Sequence, residues 1–505
     1  MKHTRILLAA ALVTAFVMGC DTNDGSPGFT QPRSTPQSFS EVGEIVLGGE
    51  GAAEITAYDP DSEQLFVVNN SGATKVDVVD ISDVSSPQLV QSLDMTFYGG
   101  GVNSVAVKNG MLAVANENPS ATAVGSVTIF DISDFTVLAN VIVGSLPDMV
   151  TFTPDGNYIL TANEGEPNDD YTIDPNGSIS FINVNNNFNV FTTDFSSFNG
   201  DEASLEANGF RVFGPGADLA ADVEPEYIAV SDDSRTAYVT LQENNGVAIV
   251  DIINQRIEAI VPLGLKDWTA LGLSIDVSDE DGGIGNSSDV WPIVGMYQPD
   301  AIAYFTDNGF PYLITANEGD ARDYDGFSEE ERVDDLTLDA ATFPNAADLQ
   351  LEENLGRMKV TTANGDAEGD GDTDVIWTYG ARSFSIWSAL DGSLVWDSGT
   401  ETEDQAVAAG VYPDNRSDDK GTEPEGVAVG VVGTTTYAFI GLERADAVVV
   451  YDISRPDLPI FKQLLNTGDA PEGVLFIGEA DSPNGANLLV VSSEDDGTVK
   501  IYQLQ

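Results

Sequence analysis

Acidic residues recur at two fixed places in the chain, and carboxylates in such number could bind cations. Both places belong to a repeating pattern of short apolar strands: one at the start of the first strand of a repeat, the other at the end of the second. The first column reads Glu54, Asn103, Asp148, Glu226, Asp300, Glu425 and Glu472. The second column reads Asn70, Glu117, Glu164, Glu243, Glu318, Glu443 and Glu494. All-oxygen ligands suit Ca²⁺, which takes roughly six to eight, with Mg²⁺ as the alternative.

The geometry of a repeat places both columns around one mouth of a central channel. The predicted metal ligands there are Glu54, Asp148, Glu164, Glu226, Glu243, Asp300, Glu318, Glu425, Glu443 and Glu472. The alternative role is structural, with each acid accepting backbone N–H bonds from the next repeat. A ring of about a dozen carboxylates repels itself, so it needs cations, arginines or raised pKa values.

Five basic residues could supply internal counter-ions, and the same side chains could instead clamp an anion such as phosphate. They are Arg322, Arg382, Arg416, Lys420 and Arg444.

A second candidate cation site lies in the acidic, glycine-rich stretch 364–374. Its acids stand on nearly alternate residues, which resembles a calcium loop, although the downstream glutamate and spacing of an EF-hand are missing. A solvated loop without an ion is the alternative. The predicted ligands are Asp366, Asp370, Asp372 and Asp374.

Seven repeats of four short strands carry the acid columns, and the clearest spans residues 225–264. Four short strands separated by turn residues are typical of a propeller blade. The last repeat lacks a fourth strand, while an unpaired strand at 44–48 precedes the first. We therefore predict an all-β, seven-bladed β-propeller whose N-terminal strand completes the last blade and removes the open sheet edge.

The spacing between repeats is uneven, so several must contain insertions. Loops that follow a second strand or precede a first strand share one face of a propeller, and function is expected on such a decorated face. The insertions are predicted near 165–176, 185–222, 265–297, 319–378 and 400–423.

The N-terminus is typical of an exported lipoprotein. A basic start, an apolar run too short to span a membrane and the sequence Val17-Met18-Gly19-Cys20 resemble a bacterial lipobox. We expect a signal peptide at 1–19, lipid on Cys20, a flexible tether over 20–41 and a single propeller over 42–505. The lipid would anchor the protein in the bacterial cell envelope, at the inner or the outer membrane.

Composition excludes several functions. The chain has 83 acidic and 20 basic residues, a net charge of −63, which would repel nucleic acid. Its one histidine, His3, and its one cysteine, Cys20, lie at the N-terminus. Ser-His-Asp and Cys-His catalysis and the usual zinc sites are therefore impossible in the mature chain. No glycine-rich phosphate loop is present, and we expect no organic cofactor.

Several phrases of the chain resemble the bacterial choice-of-anchor I family, which is related to a metazoan mesenchyme-specific cell-surface glycoprotein. They include residues 161–167, 241–245, 315–324, 380–387 and 416–426. The resemblance covers about 42–505 and implies an exported or surface propeller held by varying anchors, here a lipid. Some members carry an alkaline-phosphatase-like label, but a shared fold does not fix function.

Two functions are compatible with these residues. The first is a calcium-binding propeller, monomeric, that serves as a recognition or structural module and contacts a cell-envelope or extracellular ligand through its decorated face. The alternative is a metal-dependent phosphoesterase, similar to alkaline phosphatases or phytases, in which clustered cations bind phosphate and generate hydroxide. No residue is marked out as a nucleophile, so no catalytic residue is predicted.

Overall fold

The computed structural model describes residues 38–285 and 289–505. The predicted signal peptide, Cys20 and most of the tether lie outside the described residues. No helix among those described is long and apolar enough to cross a membrane.

Short strands with alternating or fully apolar faces dominate the fold. The chain begins with β1 (Phe39–Val46). The first four sheets then follow in order, and their strands are β2 (Thr56–Asp59), β3 (Gln64–Asn69), β4 (Lys75–Asp80), β5 (Gln88–Asp94); β6 (Val102–Lys108), β7 (Met111–Asn116), β8 (Val124–Asp131), β9 (Val137–Ser145); β10 (Pro147–Phe152), β11 (Tyr158–Asn163), β12 (Ser178–Asn183), β13 (Asn189–Asp194); β14 (Pro225–Val230), β15 (Thr236–Leu241), β16 (Gly246–Asp251), β17 (Arg256–Pro262).

Longer insertions interrupt the second half of the chain. Its strands are β18 (Leu265–Asp267), β19 (Ile293–Met296), β20 (Ile302–Asp307), β21 (Phe310–Asn317), β22 (Asp323–Tyr324), β23 (Phe327–Ser328), β24 (Glu330–Arg332), β25 (Lys359–Thr361), β26 (Ile376–Thr378), β27 (Ser383–Ser388), β28 (Leu394–Asp397), β29 (Pro424–Val432), β30 (Thr435–Leu442), β31 (Ala447–Asp452), β32 (Ile460–Asn466), β33 (Pro471–Ile477), β34 (Leu488–Ser493), β35 (Thr498–Leu504).

Helices are few and short. They are α1 (Glu202–Glu206), α2 (Leu219–Asp222), α3 (Trp268–Leu271), α4 (Ala346–Leu349) and α5 (Glu401–Ala409), with 3₁₀ turns at Ser196–Phe198, Val333–Asp335, Asp414–Arg416 and Glu443–Ala445.

Seven four-stranded antiparallel sheets make up the propeller. We number them blades 1 to 7 in chain order: β2–β5, β6–β9, β10–β13, β14–β17, then β20, β21, β27 and β28, then β29–β32, and finally β33–β35 with β1. The first strand of each blade contacts the first strand of the next, and β33 of blade 7 contacts β2 of blade 1, which closes the ring. Apolar residues of adjacent blades form the core between them.

The N-terminal strand completes blade 7, as the sequence predicted. β1 pairs antiparallel with β35, from Phe39 opposite Leu504 to Val46 opposite Thr498. The strand begins at Phe39, earlier than the boundary at 42, because Phe39 is buried against Phe439, with ring centroids 5.2 Å apart. Gln463 of blade 6 also hydrogen-bonds both the N–H and the carbonyl of Phe39.

All the long insertions connect strands on the face where first strands begin. The segment predicted as an insertion at 185–222 in fact contains the fourth strand of blade 3, β13, because its alternating residues pair with β12. The insertions of blades 4 and 5 pair with each other in a five-stranded sheet of β18, β19, β26, β25 and β24, with an apolar core of its own. Sequence patterns did not predict this accessory sheet.

Candidate functional site

A repeated backbone irregularity aims the first acid column into the channel. The register of the first strand shifts immediately after the proline that precedes the acid in blades 3, 4, 6 and 7. Proline cannot donate a ladder hydrogen bond, and a β-bulge redirects the side chains beside it. The residue before the proline has a left-handed φ in four blades: Leu146 (45°), Gln298 (41°), Glu423 (50°) and Ala470 (56°).

Seven carboxylates line one cavity of about 210 Å³ at the mouth of the channel. They come from five consecutive blades, 3 to 7, and include five members of the first column and two of the second. They are Asp148, Glu164, Glu226, Asp300, Glu318, Glu425 and Glu472. Side chains from blades 1 and 2, Ile55, Asn103 and Ser104, face them without a charge. The structure thus brings together seven of the ten acids predicted at the channel mouth.

Several of these carboxylates lack protein partners. One buried oxygen, Oε2, of each of Glu226, Glu425 and Glu472 accepts no hydrogen bond in the described structure. Glu226 is only 6% exposed. A buried carboxylate without a partner is costly when it is ionised, so it must be protonated or must meet a cation.

Burial and mutual repulsion raise the pKa values around the cavity. Burial, followed by repulsion from Glu166, raises the pKa of Asp148 to about 7. Burial also raises the pKa of Glu226 well above its usual range, with repulsion from Glu243 and Asp300 adding to the effect. The pKa values of Glu164, Asp300, Glu425 and Glu472 rise well above normal for the same two reasons. Burial and repulsion therefore disfavour ionisation of the whole ring, and a cation in the cavity would offset both effects.

One edge of the cavity already has a cation. Lys420, from the insertion between blades 5 and 6, lies 2.6 Å from Glu318 Oε1 and 3.3 Å from Glu423 Oε2. Gln242 donates to the other oxygen of Glu318 at 3.0 Å. Carboxylate oxygens of Glu318, Glu423 and Glu443 lie within 4.8 Å of one another, a grouping that could hold a metal ion if Lys420 were absent.

The other four basic candidates also pair with carboxylates. Arg416 contacts Glu423 at 2.7 Å and Arg444 contacts Glu443 at 2.9 Å. Arg322 and Arg382 are both buried. Arg322 pairs with Asp222 and Glu224, and Arg382 pairs with Glu403. These pairs hold the insertions to the propeller, because Arg322 and Arg382 reach across from blade 5 segments to the insertions before blades 4 and 6.

The remaining predicted ligands lie just outside the cavity. Glu54 accepts from Asn70 Nδ2 at 3.0 Å, so these two column positions pair within blade 1. Burial raises the pKa of Glu54 to about 8, with Asn70 opposing the shift. Glu243 is 6% exposed, and its Oε2 has no hydrogen-bond partner. Glu443 is 8% exposed and pairs with Arg444.

The acidic loop 364–374 lies apart from the channel, in the insertion of blade 5. Asp366 accepts backbone N–H bonds from Gly369, Asp370 and Gly371, so its side chain shapes the turn. Asp372 and Asp374 have carboxylate oxygens within 4.8 Å of each other and of Asp339, which sequence reasoning missed. Asp370 adjoins that group, because its carboxyl group interacts with that of Asp372 and accepts the backbone N–H of Asp372 at 3.4 Å. Asp339 arrives by a bridge between Leu338 and Thr373, a pairing without a local sequence pattern.

Sequence reasoning also missed the neutral residues that line the cavity. Ile55, Ser104, Met149 and Tyr227 each follow a column position directly, and they line the cavity below the acids. The repeats could have identified these positions, because a residue next to a channel-facing acid at a bulge also faces inward. Glu423 carried no such signal, since it precedes the proline and belongs to an insertion.

The fold and this site define the protein as a β-propeller with an acidic cavity at its channel mouth. A model of the choice-of-anchor I domain matches residues 54–456, and the chain belongs to that family. Membership in this family indicates an exported or cell-surface protein.

Two curated proteins share parts of the sequence. Gigasin-3a of Magallana gigas is 30% identical over 193 residues, which cover 31% of this chain and 67% of that protein. The mesenchyme-specific cell surface glycoprotein of Strongylocentrotus purpuratus is 26% identical over 303 residues, which cover 50% of this chain but only 38% of that longer protein.

Two solved structures align with most of the chain at low sequence identity. Hydrazine synthase of Kuenenia stuttgartiensis aligns with a TM-score of 0.48 at 15% identity, covering 90% of this chain and 96% of that chain. The β-propeller domain of Cps50 (Swd1) from Myceliophteria thermophila aligns with a TM-score of 0.46 at 8% identity, covering 93% of this chain and 100% of that chain.

Proposed function

We propose that the protein is a lipid-anchored module of the cell envelope that binds Ca²⁺ at the channel mouth and uses its decorated face for recognition or structural support. One observation carries the calcium proposal: seven carboxylates line a single cavity, and three of them have a buried oxygen without a partner. Oxygen ligands in such number suit Ca²⁺ better than Mg²⁺, which demands near-ideal octahedral geometry and gives up its water reluctantly.

The name of one relative supports a cell-surface setting, since that protein is called a mesenchyme-specific cell surface glycoprotein. In this chain the insertions enlarge the face around the cavity, and surface loops on a rigid scaffold commonly carry binding functions. A bound cation would hold the acidic side chains at the centre of that face in one arrangement.

The test of calcium binding replaces Glu226 and Glu425 together by Gln. This change keeps the shape of the cavity but removes two negative charges. If Ca²⁺ binds only the native state, a free concentration of 100 times Kd raises the stability of the unchanged protein by about 2.7 kcal/mol. We expect the double variant to lose most of the Ca²⁺-dependent rise in Tm, measured by calorimetry with and without chelator.

A matched control removes the same charge elsewhere. Glu206 and Glu353 are exposed and do not line the cavity, so Glu206→Gln with Glu353→Gln should keep the full calcium response. If the cavity variant loses stability equally with and without Ca²⁺, the acids are structural and the calcium proposal is wrong. If it becomes more stable in chelator and no ion shifts the unchanged protein, repulsion alone explains the ring.

The lipid anchor has its own test. Cys20→Ser removes the only cysteine of the chain, and we expect the variant to leave the membrane fraction while keeping its fold. Retention of the variant in washed membranes would show that another feature holds the protein there.

A metal-dependent phosphoesterase is the second function compatible with an acidic cation site. The pairing of all five candidate basic side chains with carboxylates leaves none free to clamp phosphate, which supports binding rather than catalysis. A chromogenic phosphomonoester assayed with Ca²⁺ or Mg²⁺ separates the two. Turnover that disappears in chelator and in the double variant would establish the enzyme.

A further inference from the structure

Tyr227 lines the acidic cavity together with the carboxylates. It directly follows Glu226 on β14, and both residues line the same cavity. Its ring packs against the apolar cores on either side of blade 5. The corresponding residues of other blades are Ile55, Ser104, Met149, Ala301, Gly426 and Gly473. None of them combines a large ring with a hydroxyl, so the repeat itself does not require a tyrosine here.

The hydroxyl of Tyr227 lies among carboxylates from several blades. Burial raises the pKa of Tyr227 above its usual range, and repulsion from Asp300, Glu472 and Asp148 raises it further. These acids belong to blades 5, 7 and 3, and Tyr227 lines the same cavity as all three of them. The hydroxyl makes no hydrogen bond to another described residue. Tyr227 and Ser104 supply the only hydroxyl groups among the described residues that line the cavity.

We propose that Tyr227 positions the cation at the channel mouth: its ring forms the floor of the cavity, and its hydroxyl donates a hydrogen bond to a carboxylate that holds the ion. This inference rests on the proposed calcium binding. Once the carboxylates are ionised around a cation, they offer many acceptors, and a neutral donor at the floor orients one of them without adding charge. Tyr227 is thus a positioning residue.

A second cavity of about 380 Å³ is lined by residues of blades 1, 2 and 7, among them Tyr58, Lys108 and Phe476. No residue lines both cavities. Tyr58 is therefore a tyrosine that lies outside the acidic cavity.

Terbium luminescence tests this position. Tb³⁺ replaces Ca²⁺ at oxygen sites and emits when a nearby excited tyrosine transfers energy to it. No tryptophan is among the residues that line the cavity. In the full chain, we expect Tyr227→Phe to lose most of the tyrosine-sensitised emission while calorimetry still detects Tb³⁺ and Ca²⁺ binding. Loss of one hydrogen bond should weaken the affinity about 5-fold.

Tyr58→Phe is the matched control, because its hydroxyl donates to Asp481, outside the acidic cavity. It should change neither emission nor affinity. If Tyr227→Phe keeps the emission or the affinity of the unchanged protein, the positioning role is wrong while calcium binding stands. If the unchanged protein binds neither Tb³⁺ nor Ca²⁺, the proposed function itself fails.

Discussion

The cation-free protein should lose stability as the pH rises through the neutral range. The cavity and its edge contain carboxyl groups whose pKa values are higher in the folded protein than in the unfolded chain, including Asp148 in the cavity at about 7 and Glu54 just outside it at about 8. Such a group binds its proton more tightly when the protein is folded. Its stabilising contribution is fully present below the unfolded pKa of about 4 and is lost as the pH rises through the folded pKa.

The size of the effect follows from proton linkage. Each carboxyl that stays protonated in the folded protein but ionises in the unfolded chain lowers the free energy of unfolding by about 1.4 kcal/mol per pH unit. Asp148 and Glu54 together give about 2.7 kcal/mol per unit between about pH 5 and about pH 7. Unfolding entropy grows with chain length, so for a chain of this size about 1 kcal/mol corresponds to about 1 °C in Tm.

The assay is thermal unfolding at several pH values, in chelator and in excess Ca²⁺ at matched ionic strength. In chelator we expect Tm to fall by a few degrees per pH unit over this range. Calcium binds the ionised carboxylates, so it competes with protons and should flatten or reverse that slope. The matched sodium concentration controls for screening of the large surface charge. A chelator curve that is flat or rises from about pH 5 to about pH 7 would refute the raised pKa values.

Other predictions concern the built-in cation, the ring closure and the acidic loop. Lys420→Met should destabilise the protein by about 3–5 kcal/mol in chelator, because it leaves buried carboxylates uncompensated, and Ca²⁺ should restore part of that loss. As a control, Lys462→Met breaks the partly exposed pair with Asp452 and should cost only about 0–1 kcal/mol. Deleting residues 38–46 should lower Tm by several degrees, because blade 7 loses β1 and the buried Phe39, and a melt within a degree of the full chain would contradict the closure. Asp372→Asn with Asp374→Asn should remove a calorimetric Ca²⁺ binding event without changing the response of the channel cavity; an unchanged isotherm would identify 364–374 as a solvated loop.

Much of the propeller could be predicted because each blade repeats the same local pattern. Strands such as β15 are short runs of buried residues, and turn residues separate them at regular spacing, so the positions of the acids follow from the repeat. The closure by β1 followed from a missing fourth strand in the last repeat. These features depend on residues close together in the chain or on the repeat itself.

The packing of the insertions could not be predicted from the repeat. β19 pairs in parallel with β26 although their sequence positions differ by more than the length of a blade, and Lys420 meets Glu318 across two separate segments. Such contacts depend on how two irregular segments pack together, and neither segment repeats. Sequence reasoning therefore named Lys420 and the arginines as candidates but left open whether they would bind an anion or neutralise the ring.

The distribution of internal cations indicates where a bound ion would lie in the cavity. Lys420 and Gln242 satisfy both oxygens of Glu318, so this carboxylate needs no further charge. Glu226, Glu425 and Glu472 each have an unpartnered oxygen, and no lysine or arginine is among the described residues that line the cavity. Repulsion among carboxylates is relieved most where no internal cation already acts, so a Ca²⁺ ion should bind away from Lys420, beside Asp148 and Glu226.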